Sequence, residues 1–251
     1  MIAFIDIETI PNHQIKDVDD GMAFKESEQG KLFMKKFLSE VKEVDIQNVH
    51  ESNIIDGTLW RNKAPLYAEF NQIVAIAVGL LNGDTIRIKQ MASRFEKPLL
   101  EQFIAIIEKC KGARLCAHNG KEFDFPILFR KLIIHGLPIP DQLNSIGKKP
   151  WETQLDDTME MWSGTQWKYR VSLDLLAQTL GLPSPKLEMS GDKVAELYYS
   201  MFTGPNDELP FDKEEEVLTK IATYCGTDVF TLANVYLRIV GQSVITKFEV
   251  V

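Results

Sequence analysis

Cysteine is scarce in this chain. Three residues in 251, Cys110, Cys116 and Cys225, make an odd number with no Cys-x-x-Cys pair. That excludes a disulfide scaffold and a cysteine-rich zinc site, and suits a reducing cytoplasm. Bases are also in deficit, 28 against 36 acids, for a formal net charge of −8. A protein that coats nucleic acid through a broad basic surface is excluded by that balance; an enzyme that grips it locally is not. No apolar run approaches the roughly 18–20 residues of a membrane helix, and the first residues lack the basic stretch and cleavage site of a secretion signal. Internal repeats and low-complexity tracts are missing too, against solenoids and propellers. What is present is an ordinary globular composition, 45% hydrophobic and 25% charged, in a chain long enough to bury a full core.

Ile2 to Ile7 is continuously apolar and β-branched except for Asp6, and reads as a buried strand ending near Pro11. From Asn12 to about Phe70 the pattern loosens. Leu32, Phe33, Phe37, Leu38 and Val41 give Lys31 to Val44 helical spacing, so this region is expected as a partly helical insertion within a single domain of residues 1–251. Strands follow at Gln72–Leu81 and Thr85–Gln90, joined by an Asn82-Gly83 turn signal. Helices are expected at Leu99–Cys110 and Phe125–His135, with a strand at Arg114–Ala117 between them and a last short one at Gln154–Asp156. Beyond it the chain reads as helices only: Asp157–Trp162, Leu173–Leu180, Val194–Phe202 and Glu214–Val240. The expectation is α/β, a mixed five-stranded sheet flanked by helices, in the element order of the ribonuclease H-like architecture.

Three separated places carry acids of interest. In Phe4-Ile5-Asp6-Ile7-Glu8-Thr9, Asp6 and Glu8 share one face of a strand, roughly 6.5–7 Å apart. Two such carboxylates repel and lose hydration, a cost that Mg²⁺ or Mn²⁺ removes; alone, the triplet also fits a solvated strand end. In Asn119-Gly120-Lys121-Glu122-Phe123-Asp124, a strand runs into a loop and then a helix. Asp124 falls where aspartate is favoured simply as a helix-start residue. In the last helix, Val217, Ile221, Cys225, Leu232 and Val235 form one apolar stripe at about 100° per residue. Tyr224 and Asp228 project inside that stripe, one turn apart, so hydroxyl and carboxylate can meet. A carboxylate there needs a metal or a core-facing Lys or Arg.

The order Asp6-x-Glu8, Asn119-x-x-x-Phe123-Asp124, Tyr224-x-x-x-Asp228 resembles the DEDD 3′–5′ exonucleases of the tyrosine (DEDDy) subgroup. The surrounding residues look closest to the proofreading exonuclease domain of family B DNA polymerases and to stand-alone predicted exonucleases related to it. The resemblance covers the first strand and then Gln72 onward; Asn12 to about Glu69 does not align. It implies that Asp6, Glu8, Asp124 and Asp228 bind two divalent cations, Mg²⁺ or Mn²⁺, for an in-line hydrolysis releasing nucleoside 5′-monophosphates from a 3′ end of single-stranded DNA. Tyr224 would orient the attacking water.

Thr9, Asn119 and Phe123 fall where such motifs supply contacts to the terminal nucleotides, and Phe123 fits base stacking and core packing equally. Lys186-Leu187-Glu188-Met189 is similar to a signature whose lysine meets the scissile phosphate; a solvated loop lysine is the simpler reading. Trp167-Lys168-Tyr169-Arg170 interleaves base and aromatic, as a single-strand groove or a plain surface would. Asp157 and Glu160 read as a helix capping box, with Asp156 as a spare acid. His13, His50, His118 and His135 have no zinc spacing. An RNA 3′-end-trimming enzyme and a non-catalytic binding module of the same fold are the alternatives. The expected partner is a single-stranded nucleic acid 3′ end, DNA favoured over RNA, with no membrane; the insertion is the candidate surface for recruitment by a replication or repair protein.

Overall fold

The computed structural model describes residues 1–12, 27–40, 58–166, 169–183, 191–202 and 211–251. Lys186, Trp167, Lys168, His13, His50 and the end of the expected Lys31–Val44 helix beyond Glu40 lie outside the described residues. The described chain divides into two compact units, Met1–Glu8 with Ile73–Val251, and Thr9–Gln72.

The first unit is built on a sheet. Strand β1 (Ile2–Pro11) is almost wholly buried, as its β-branched run requires. β2 (Asn71–Asn82) and β3 (Thr85–Ala92) form an antiparallel hairpin closed at Asn82 and Thr85. Gly83 there takes φ 64°, the left-handed conformation that only glycine adopts freely. β4 (Arg114–Ala117) and β5 (Leu155–Asp157) continue on the other side, each parallel to its neighbour. With Lys247–Val250 as β6, the order across the sheet is β5-β4-β1-β2-β3-β6, which puts β1 among the central strands.

That order corrects one expectation. The sheet has six strands rather than five, because Lys247–Val250 forms an edge strand, β6, parallel to β3. Four residues, all exposed, carry too little periodicity to announce a strand; its ladder with Thr85–Ile88 makes it one. The mixed, helix-flanked α/β sheet is otherwise the expected ribonuclease H-like architecture.

In this unit the helices are α3 (Glu96–Lys109), α4 (Asp124–Ile134), α5 (Thr158–Ser163), α6 (Leu173–Thr179), α7 (Asp192–Tyr199) and α8 (Phe211–Ile239). Leu99, Leu100, Phe103, Ile104 and Ile107 of α3 are buried, the i, i+3/i+4 face of an amphipathic helix. The end of α3 is held by buried Gln142, whose Nε2 donates to the carbonyls of Ile107 and Cys110 at 3.2 and 3.1 Å. The apolar stripe of α8, Val217, Ile221, Cys225, Leu232 and Val235, is buried as its spacing predicts, and the helix packs against β3. Gly79 of β2 allows that approach, since a Cβ there would stand 2.6 Å from Val229 Cγ1.

The second unit holds α1 (Glu28–Glu40) and α2 (Thr58–Lys63). It has an apolar cluster of its own, Phe33, Phe37, Trp60, Ala64 and Phe70, with Met34 and Tyr67 against it. Phe33 is its hub, with ring centroids 4.4, 4.7 and 5.3 Å from Phe37, Trp60 and Phe70.

Candidate active site

The strand β1 presents Asp6 and Glu8 on one face, as its two-residue period requires. Glu8 is buried; Asp6 is half-buried, with Oδ2 closed to solvent. No described residue donates a hydrogen bond to that oxygen.

Asp124 arrives from the β4–α4 loop. Asn119 turns the chain with φ 60°, and its carbonyl accepts the N–H groups of Glu122 and Phe123 at 3.2 and 3.0 Å. Asparagine is among the few non-glycine residues that tolerate this conformation. Gly120 follows where a Cβ would meet Ala117 Cβ at 2.3 Å. The loop delivers Asp124 as the first residue of α4 rather than as its cap, which is Phe123. The Asp124 carboxylate instead reaches β1: Oδ1 accepts the backbone N–H of Ile7 at 3.2 Å.

Helix α8 supplies the rest. Tyr224 and Asp228 are half-buried and one turn apart on α8, and the Asp228 charge is among the causes that raise the Tyr224 phenol. Cys225, fully buried, donates its thiol to the backbone carbonyl of Asp6 at 3.3 Å, tying the helix to β1.

The electrostatics follow from crowding. Burial pushes the Asp6 carboxyl well above its usual range, and the charges of Glu8, Asp228 and Asp124 push it further. Glu8 moves the same way, through burial and then Asp228 and Asp124. Asp124 rises to about 7, because burial outweighs its two backbone hydrogen bonds. Burial and the three acids Asp228, Glu8 and Asp6 raise the Tyr224 phenol above its ordinary value. Three carboxyls, Asp6, Glu8 and Asp124, each raised by burial and by the charge of Asp228, one with an oxygen sealed off and without a described donor, form a site short of positive charge. An all-carboxylate oxygen set of this kind fits a hard divalent cation. The Asp6 and Glu8 carboxylates and Cys225 Sγ offer atoms within 4.8 Å of one another.

The remaining sequence candidates are spread more widely. Asn119 and Phe123 stand half-buried on the loop that carries Asp124. Thr9 belongs to the second unit and donates its hydroxyl to the Pro65 carbonyl at 2.9 Å. Tyr169 is exposed, while Arg170 pairs with Glu122. Asp156 is paired to Arg114 at 2.6 Å. His118 is held between Thr158 Oγ1 and the Val171 carbonyl, at 2.9 and 2.8 Å. The sequence shows Cys225 only as an apolar-stripe residue and Asp157 only as a helix cap, whereas Cys225 bonds the Asp6 carbonyl and the Asp157 charge helps to raise Asp124.

Fold and site together define a class: a ribonuclease H-like sheet whose central strand shares a carboxylate cluster with a loop and a long helix. The chain belongs to the family of predicted 3′–5′ exonucleases related to the exonuclease domain of PolB, which its residues 65–247 match. Asp124, Tyr224 and Asp228 lie inside that stretch, whereas Asp6 and Glu8 precede it and join them through β1. Among solved structures, the chain is similar to the family B DNA polymerase of the hyperthermophilic archaeon Pyrobaculum calidifontis. The TM-score is 0.50 at 14% identity, over 94% of this chain and 24% of that one. The chain thus spans about a quarter of the polymerase it resembles, and the likeness is one of fold. No curated protein matches the sequence. No helix among the described residues is long and apolar enough to cross a membrane.

Proposed function

We propose that this exonuclease removes nucleoside 5′-monophosphates from the 3′ end of single-stranded DNA, with Asp6, Glu8, Asp124 and Asp228 holding two divalent cations. The observation that carries the reading is the sealed Asp6 Oδ2, without a donor among the described residues and surrounded by three further carboxylates. Mg²⁺ or Mn²⁺ bound there would supply Lewis-acid stabilisation of the attacking and leaving oxygens and a more acidic water.

The protein's own groups do the positioning. The Ile7 N–H holds Asp124 beside the strand that carries Asp6 and Glu8. Tyr224, whose phenol is pushed above its ordinary value, stays protonated at neutral pH and orients the attacking water by hydrogen bonding rather than removing its proton. Asn119 and Phe123 contact the terminal nucleotides from the Asp124 loop, with Thr9 and Lys186 as further contacts. The whole chain, residues 1–251, works as one exonuclease domain carrying the insertion. The insertion, with its own aromatic cluster, is the surface we assign to recruitment by a replication or repair protein. DNA is favoured over RNA because the related structure is that of a DNA polymerase.

The test is incubation of 5′-labelled and 3′-labelled single-stranded DNA and RNA with Mg²⁺, Mn²⁺ or EDTA. The expected result is a ladder shortening from the 3′ end of DNA that stops in EDTA. Faster shortening of RNA would replace the DNA assignment with RNA trimming, and binding without any shortening would make the chain a non-catalytic module.

A further inference from the structure

We propose that Asp157 is a positioning residue for Asp124: its carboxylate pins the β4–α4 loop and so sets how tightly the acid cluster binds a divalent cation. This rests on the reading of those acids as metal ligands.

Asp157 ends β5 beside Ala117, the last residue of β4, and is 4% exposed. A capping aspartate needs only the N–H groups of its own helix. Asp157 accepts those, from Met159 at 2.9 Å and Glu160 at 3.4 Å, both at Oδ1. It also accepts two from the loop: Asn119 N–H to Oδ1 at 2.9 Å and Lys121 N–H to Oδ2 at 3.0 Å. These two donors flank Gly120, which cannot carry a side chain beside Ala117. Asn119 is the left-handed residue that starts the turn toward Asp124.

A continuous series of bonds therefore runs from the end of β5, through both sides of Gly120, to Asp124, and from its Oδ1 to the Ile7 N–H between the two strand acids. Hydrogen bonds to a buried carboxylate are among the stronger ones in a protein. Groups that orient metal ligands in this way typically change affinity by about 10–100-fold when removed.

The four bonds divide in a way that mutation can exploit. In Asp157→Asn, the amide oxygen at the Oδ1 position keeps Asn119, Met159 and Glu160, while the amide nitrogen opposes Lys121 N–H. In Asp157→Ser, the hydroxyl caps its own helix but is too short for the loop. Asp156→Asn removes the same charge one residue away and leaves the loop bonds intact.

Amide exchange and Mn²⁺ titration calorimetry on the full chain test the proposal without nuclease activity. For Asp157→Asn and Asp157→Ser the expected result is faster exchange at Lys121 with Met159 and Glu160 still protected, and an Mn²⁺ dissociation constant raised by about tenfold or more. In the nuclease assay the metal concentration for half-activity rises in parallel, and saturating Mn²⁺ restores most of kcat. Asp156→Asn should shift Mn²⁺ affinity by less than about threefold, as removing a screened charge at this remove does. Unchanged exchange at Lys121, Mn²⁺ affinity within twofold of wild type, or an equal loss in Asp156→Asn would each overturn the proposal. A wild-type chain that binds Mn²⁺ but shortens no nucleic acid would overturn the proposed function alone, and one that binds no Mn²⁺ would overturn both.

Discussion

Asp124 and Ile7 are joined by a hydrogen bond across 117 positions of sequence, from the backbone N–H of Ile7 to Oδ1 of Asp124 at 3.2 Å. Ile7 is the residue between Asp6 and Glu8. The bond that anchors the acid of the second motif is thus made to the strand that displays the two acids of the first.

Crowded carboxylates predict a trade between stability and activity. Without metal, Asp6→Asn removes a carboxyl whose charge is opposed by burial and by Glu8, Asp228 and Asp124. The thermal midpoint should rise, by about 2–4 °C for each kcal/mol of repulsion relieved, while nuclease activity is lost. Mg²⁺ should stabilise the wild type and leave the variant nearly unmoved. A variant less stable than the metal-free wild type would contradict the account.

The same crowding fixes a pH dependence. An unfolded Asp titrates near 3.9 and folded Asp124 at about 7, so the folded chain binds this proton more tightly. Its contribution to stability is complete below about pH 4 and is lost as pH rises through about 7, at no more than about 1.4 kcal/mol per pH unit for one group. Metal binding displaces protons, so apparent Mn²⁺ affinity should increase over the same range and saturating metal should flatten the stability profile. A metal-free midpoint independent of pH between 5 and 8 would argue against the cluster.

Tyr224→Phe keeps the ring and removes the hydroxyl assigned to the attacking water. Losing one orienting hydrogen bond, about 0.5–1.5 kcal/mol, predicts roughly a two- to tenfold lower kcat. The wild-type pH profile should show no limb from a tyrosine base near neutrality. Complete loss of activity in Tyr224→Phe would assign the hydroxyl a larger part than orientation.

Gly79→Ala tests the seat of α8. The added methyl would fall 2.6 Å from Val229 Cγ1 and 2.7 Å from Ile86 Cδ1, one residue from Asp228. Overpacking of this kind costs about 1–3 kcal/mol, read by denaturant titration, and activity should fall as the helix shifts. Unchanged stability and activity would show that the helix has slack at this point.

Much of this was legible because two periods carry it. The two-residue period puts Asp6 and Glu8 on one face of β1, and the 3.6-residue period puts Tyr224 and Asp228 inside the buried stripe of α8. What stayed hidden depends on contacts distant in sequence. Lys247–Val250 is a strand only because Thr85–Ile88 pairs with it. Cys225 looked like core filling until its thiol met the Asp6 carbonyl, 219 positions away. Asp157 read correctly as a cap, but nothing local to it announces the bonds to Asn119 and Lys121. Lys186 and the Trp167-Lys168 pair fall outside the described residues.

The most direct test of the central claim compares wild type with Asp228→Ala on 5′-labelled single-stranded DNA in Mg²⁺ or Mn²⁺. The account predicts stepwise loss of nucleoside 5′-monophosphates from the 3′ end by the wild type, and no shortening by a variant that remains folded by circular dichroism. Full activity in Asp228→Ala, or cleavage of a closed single-stranded circle by the wild type, would contradict it.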